Sequence, residues 1–195
     1  MRGKLDRSQV LQAALAMVDR DGLEGLSMRR LGEALGVEAM SLYRHVANKD
    51  EVLDGVHEAV LSSVVWPRRT GRWQADLVAA AWALREALRR HPHARPLFAT
   101  RPATTPASLG YLEHALGLLE EPFPHPLRRV LAAQVVFALV IGHAMLHDGA
   151  AQGTGPEGLD PEELPILTSV LSTLEGYDPE EELRFALESL IASWG

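Results

Sequence analysis

Between positions 27 and 49 the chain gathers hydrogen-bond donors: Arg29, Ser41, Tyr43, Arg44, His45 and Lys49. Guanidinium, ammonium, imidazole and hydroxyl groups suit phosphate oxygens and the acceptor edges of bases. Further on, polar residues stand singly in apolar sequence: His91, Arg101, His114, Gln134, His143 and His147, with Trp82, Phe98 and Phe137 nearby. A few placed polar groups among apolar walls make a small-molecule site, so these residues are the candidate cavity lining. His143 and His147 lie four apart, the spacing of two metal ligands on one helix face. No HExxH motif accompanies them and the chain has no cysteine, so neither a metal nor a cofactor is expected. Thiol catalysis, disulfides and Cys-ligated zinc are excluded, and the composition suits a reducing cytoplasm. A nucleophile elbow, a phosphate loop and a dinucleotide fingerprint are also missing, so no catalytic residue is assigned and an enzyme is not expected.

The elements that must position these groups all read as helices, nine or ten of them, and no alternating strand pattern interrupts the series. Asp6 and Gln9 have capping-box spacing for a first helix over 7–21, with Gly22 as its stop. Ser27 caps a short second helix ending at Gly36, and a third covers 39–45. Asn48 and Glu51 cap a fourth over about 49–64. Trp66, Pro67 and Gly71 mark a junction. Helix resumes over 73–90, breaks at Pro92 and Pro96, and restarts at Thr105-Pro106 with a cap and a first-turn proline. Residues 126–150 are the most apolar of all, which places that helix in a core or an interface. Residues 149–158 read as a surface loop, and Asp160-Pro161 and Asp178-Pro179 open two last helices.

A short helix, a glycine turn and a second short helix form the helix-turn-helix arrangement. Leu31, Ala34, Leu35, Val37, Leu42 and Val46 are expected to pack the pair together, leaving Glu38, Ala39, Met40, Ser41, Tyr43, Arg44 and His45 outside. By geometry alone an ordinary helical hairpin fits equally well. The residues go further: GLEGLSMRRLGEALGVEAMSLYRHVANKDEVLDGV, with its L-Y-x-H-V segment at 42–46, resembles the N-terminal domain of the TetR family of repressors over roughly residues 5–60. Thr100-Arg101-Pro102 is similar to the C-terminal region of that family's tetracycline-repressor branch.

The resemblance implies an all-α protein, with a helix-turn-helix DNA-binding domain over 1–49, a linking helix over about 49–64 and a ligand-sensing, dimerising domain over 66–195. Arg29 falls on a base-reading position, with Ser27 and Met28 beside it at the start of the second helix. Ala39 and Met40 fall at the groove-facing start of the recognition helix, and both are apolar here. Ser41, Tyr43 and His45 resemble phosphate contacts, Arg44 joins the reading set, and Lys49 falls where a helix N-terminus favours phosphate. Arg2, Lys4 and Arg7 form a basic arm that suits the DNA backbone or minor groove, and a frayed, solvated terminus fits the same residues equally well. Where drug-binding members of the branch hold magnesium, this chain has Leu97 and, near the second position, Leu146. The expected effector is therefore a largely apolar or aromatic molecule bound without a metal, with Leu97 among its lining.

Charge fits this division. The chain carries −7 overall, but residues 1–50 hold a net +1 and the remainder −8. An acidic body stays soluble and avoids DNA except at its reading head. The implied protein is a cytoplasmic homodimeric repressor on a palindromic double-stranded operator, released by its effector. An architectural DNA binder without a ligand fits the long apolar C-terminal region less well. No apolar stretch is expected to span a membrane.

Overall fold

The computed structural model describes residues 5–101, 103–147, 163–171 and 177–194, and among these it contains ten α-helices and no strand. Helix α1 runs Arg7–Asp21 and has the full capping box, with Asp6 accepting from the Gln9 amide and the Gln9 side chain returning to the Asp6 amide. Helix α2 is Met28–Leu35 and α3 is Ala39–Leu42. The third helix is shorter than its sequence suggests. After Leu42 the backbone tightens into a turn, with the His45 amide bonding the Leu42 carbonyl, and Val46 swings back into the core at 2% exposure. Ala34, expected between α2 and α3, is instead exposed. The two helices meet at Gly32, where an added Cβ would lie 2.9 Å from the Val37 carbonyl oxygen and 3.0 Å from the Ala39 amide.

Helix α4, Lys49–Ser62, packs against α1 on one side and against the rest of the chain on the other. Gly55 permits the first contact: a Cβ there would overlap the Leu11 side chain. Helix α5 is Trp73–Arg90, with Asp76 accepting hydrogen bonds from the Thr70 amide and hydroxyl and the Gly71 amide to fix the junction before it. The Pro92–Ala94 turn leads to α6, Pro96–Thr100, then to α7, Pro106–Leu118, which has a Thr105–Ser108 capping box. Helix α8 is Pro126–His147, α9 is Pro165–Leu171 and α10 is Pro179–Ala192. The described ninth helix starts at Pro165. Asp160-Pro161, the 149–158 loop, Arg2, Lys4 and Pro102 lie outside the described residues.

One continuous core runs from Val10 and Leu31 in the helix-turn-helix, through Val56 and Leu84, to Val140 and Leu187. Contrary to the expectation of no membrane-length stretch, α8 is long and apolar enough by length and composition to cross a bilayer. Here its inner face, Ala132, Val136, Val140 and Ala144, packs on α5, α7 and α10. Leu127, Leu131, Val135 and Leu146 remain exposed on its outer side, as does Phe185 of α10 at 73%.

Candidate nucleic-acid interface and ligand cavity

The hydrogen-bond donors of the first segment are carried by α2, by α3 and the turn after it, and by the start of α4. Ser27 caps α2 by accepting from the Arg30 amide, and Met28 is half-buried against the core, so both position the helix. Arg29 is exposed on the first turn of α2, with Glu33 3.8 Å away. Ala39 is half-buried at the start of α3, while Met40 stands 73% exposed with no packing reason to be there. Tyr43 and Arg44 are exposed on the turn after α3, and Ser41 and His45 are half-buried beside them. Lys49 is exposed as the first residue of α4, where unpaired backbone amides add positive potential. Asn48 caps that helix through the Glu51 amide, and Glu51 turns back to the Ala47 amide.

Behind this head lies a cavity of about 270 Å³ between α4, α5, α7 and α8. Its walls include Leu77, Ala81 and Leu84 of α5 and Ala133, Val136 and Val140 of α8. Trp66, Phe98, Tyr111 and Phe137 supply aromatic faces; Trp66 and Tyr111 have ring centroids 4.9 Å apart. Phe98, Arg101, Gln134 and Phe137, expected from the sequence, all line this space. His57, Trp66, Ser108 and Tyr111 line it too and were not foreseen. One signal was available for His57, a polar residue in the apolar series Val52, Val56, Val60 of α4.

The other expected residues sit elsewhere. Trp82 faces a separate groove between α5 and α10, with Val78 and Ile191. His91 bonds Asp19 of α1 at 3.0 Å, and Leu97 is buried in packing away from the cavity. His114 stacks on Trp66 at 3.8 Å from outside the lining. His143 and His147 lie with Glu182 of α10, ligand atoms within 4.8 Å of one another. Chemistry disfavours an ion there. Arg85 Nε donates to His143 Nδ1 at 3.2 Å, which leaves Nε2 to donate to the Pro179 carbonyl at 2.7 Å. His143 thus has no lone pair to offer, and the Arg85 cation stands beside it. Together with the His147–Glu182 contact at 2.8 Å, the His143 hydrogen bond to the Pro179 carbonyl ties α10 to the end of α8.

Comparison with known proteins follows this division of the chain. Residues 10–56 match the bacterial regulatory proteins of the tetR family, and residues 67–193 match the tetracyclin repressor-like C-terminal domain. The chain belongs to the TetR family. An HTH-type transcriptional regulator of Saccharopolyspora erythraea is 40% identical over 116 residues, 59% of this chain and 49% of that protein, so the chain spans about half that relative's length. Tetracycline repressor class G of Vibrio anguillarum is 30% identical over 98% of this chain and 94% of its own. Among solved structures, ActR of Streptomyces coelicolor in complex with (S)-DNPA superposes with a TM-score of 0.86 at 26% identity, covering 98% of both chains.

In this TetR chain the cavity and the reading head are joined through α4. Arg101 Nη2 donates to Asp50 Oδ1 and Nη1 to Asp54 Oδ1, each at 2.8 Å, and Nη1 also reaches the Asp50 carbonyl. The Asp50 hydrogen bond, with Asp54 behind it, holds the guanidinium firmly protonated. A second joint lies below: His93 Nδ1 is 2.9 Å from the Asp19 carbonyl at the end of α1.

Proposed function

We propose that the chain is a homodimeric, cytoplasmic transcriptional repressor that holds a palindromic double-stranded operator and releases it when a largely apolar or aromatic small molecule enters the cavity. The observation that carries this reading is that one helix serves both sites. His57 and Leu61 of α4 line the cavity, Asp50 and Asp54 of α4 hold the cavity residue Arg101, and Lys49 begins the same helix at the reading head. In this reading the division lies between a DNA-binding unit over 1–49 and a sensing unit over 66–195. Arg29 and Arg44 read bases, with Ala39 and Met40 offering apolar contacts to thymine methyls, while Ser41, Tyr43, His45 and Lys49 hold phosphates. ActR, with a similar fold, has been solved with actinorhodin and with (S)-DNPA, which supports a small-molecule effector here.

A two-fold operator requires a two-fold reader. The exposed stripe Leu127, Leu131 and Val135 of α8, with Phe185 of α10, supplies apolar surface for a second copy. Operator gel shifts and sedimentation test the reading together. The wild type is expected to sediment as a dimer and shift a palindromic site. Val135→Glu combined with Phe185→Glu is expected to give a folded monomer that binds that site at least tenfold more weakly. A double variant that stays dimeric with undiminished affinity would refute this interface.

A further inference from the structure

His57 is 3% exposed, lines the cavity, and its Nδ1 has no hydrogen-bond partner among the described residues. A buried polar atom without a partner is costly, and native proteins tolerate it where a ligand or water completes the bond. Its ring packs against Phe98 with centroids 4.5 Å apart, so the imidazole is fixed in place. Burial, reinforced by Arg101 and only opposed by Asp54, pushes its pKa down, and the ring is neutral at physiological pH. A neutral imidazole offers one donor and one acceptor.

The remaining polar groups narrow the ligand's chemistry; among them Gln134 of α8 is exposed, so its amide has solvent within reach. The Ser108 hydroxyl is already committed, donating to the Thr105 carbonyl and accepting from the Thr105 amide. The charge of Arg101 is spent on Asp50 and Asp54. The Tyr111 hydroxyl, on α7, makes no hydrogen bond among the described residues. Its neighbours Trp66 and Phe137 give flat apolar faces, with Phe137 6.4 Å away. The site therefore lacks a free formal charge and presents uncommitted hydrogen-bonding groups among aromatic walls.

We infer that His57 is the specificity-determining residue of the cavity, pairing with a hydroxyl on the edge of an uncharged, planar, fused-ring aromatic effector. The inference rests on the cavity being the effector site. A hydroxyl both donates and accepts, so it satisfies either tautomer of His57. Because the imidazole belongs to α4, this bond is made directly to the helix that begins with Lys49.

Fluorescence titration of the full-length protein with a phenanthrol and with the methylphenanthrene of the same shape tests this. The wild type is expected to bind the phenanthrol at least tenfold more tightly, since a site built around a hydroxyl rejects the analogue lacking it. His57→Phe keeps the contact with Phe98 and is expected to bind the two compounds alike. His57→Gln keeps a donor and an acceptor and is expected to retain part of the preference. Thermal melts establish that each variant is folded, and His57→Leu replaces the Phe variant if that one melts early. Equal binding of both compounds by the wild type, or a preference that survives both apolar substitutions, overturns the role of His57 and leaves the cavity reading standing. Binding of neither compound by the wild type overturns the cavity reading, and this inference with it.

Discussion

Arg29 and Lys49 are both exposed cations, and their roles separate by what surrounds them. Lys49 sits on a helix N-terminus, a place that attracts any phosphate, whereas Arg29 projects from the first turn of α2 with a planar fork suited to guanine. Lys49→Ala is therefore expected to weaken operator and random DNA alike and to reduce the salt slope by about one. Arg29→Ala is expected to cost about 1–3 kcal/mol on the operator and much less on random DNA. Equal losses on both in a gel-shift titration would remove Arg29 from base reading. At this scale the sequence was legible where a side chain is alone in its setting: Phe98, Gln134 and Phe137 stand in apolar helices and Arg101 just after one. His91 and His143 stood out for the same reason and proved to be tertiary anchors. Their partners, Asp19 and Arg85, lie 72 and 58 residues away, and no local pattern announces them.

Helix boundaries were the most legible feature, because caps are local chemistry. Asp6 with Gln9, Ser27 and Thr105 each form the hydrogen bonds that their spacing implies, while Asn48 caps the Glu51 amide but Glu51 returns to the Ala47 amide rather than to Asn48. The α3 boundary was misread because a long-range demand, the burial of Val46, overrides local helix preference. Ala34 was misplaced because Gly32, which contributes no apolar side chain, forms the contact. Where two helices touch through a glycine, one methyl group decides the packing. Gly55→Ala drives a carbon into Leu11 and is expected to destabilise the fold by roughly 1–3 kcal/mol. Gly32→Ala pushes on backbone and is expected to lower the melting temperature and separate α2 from α3, with loss of operator binding. A Gly32→Ala protein that melts and binds like the wild type would contradict the close approach.

Across the whole molecule, three histidines are held neutral by the fold. Burial is the leading cause that lowers the pKa of His57, His114 and His143 from 6.5. Below pH 6.5 the unfolded chain takes up protons that the folded chain refuses, so stability is full above that pH and declines as pH falls below it. The melting temperature is expected to drop progressively on acidification through this range, before carboxylates such as Asp21, with a pKa of about 2, begin to protonate. A melting temperature that stays flat or rises from pH 7 to pH 5 would contradict the neutral state of these rings. What the sequence could not show at this scale is which side of α8 is covered, because an all-apolar helix has no polar face to mark its outside. The joint between Gly55 and Leu11 bears on a different matter, the fidelity of mechanical transmission. A hinge with clearance absorbs small displacements as lost motion. Here α1 and α4 are pressed together without clearance, so the reading head has no backlash on the arm that carries it. The eight residue steps from Lys49 to His57 span about 12 Å of helix, so a small tilt imposed at one end is carried to the other.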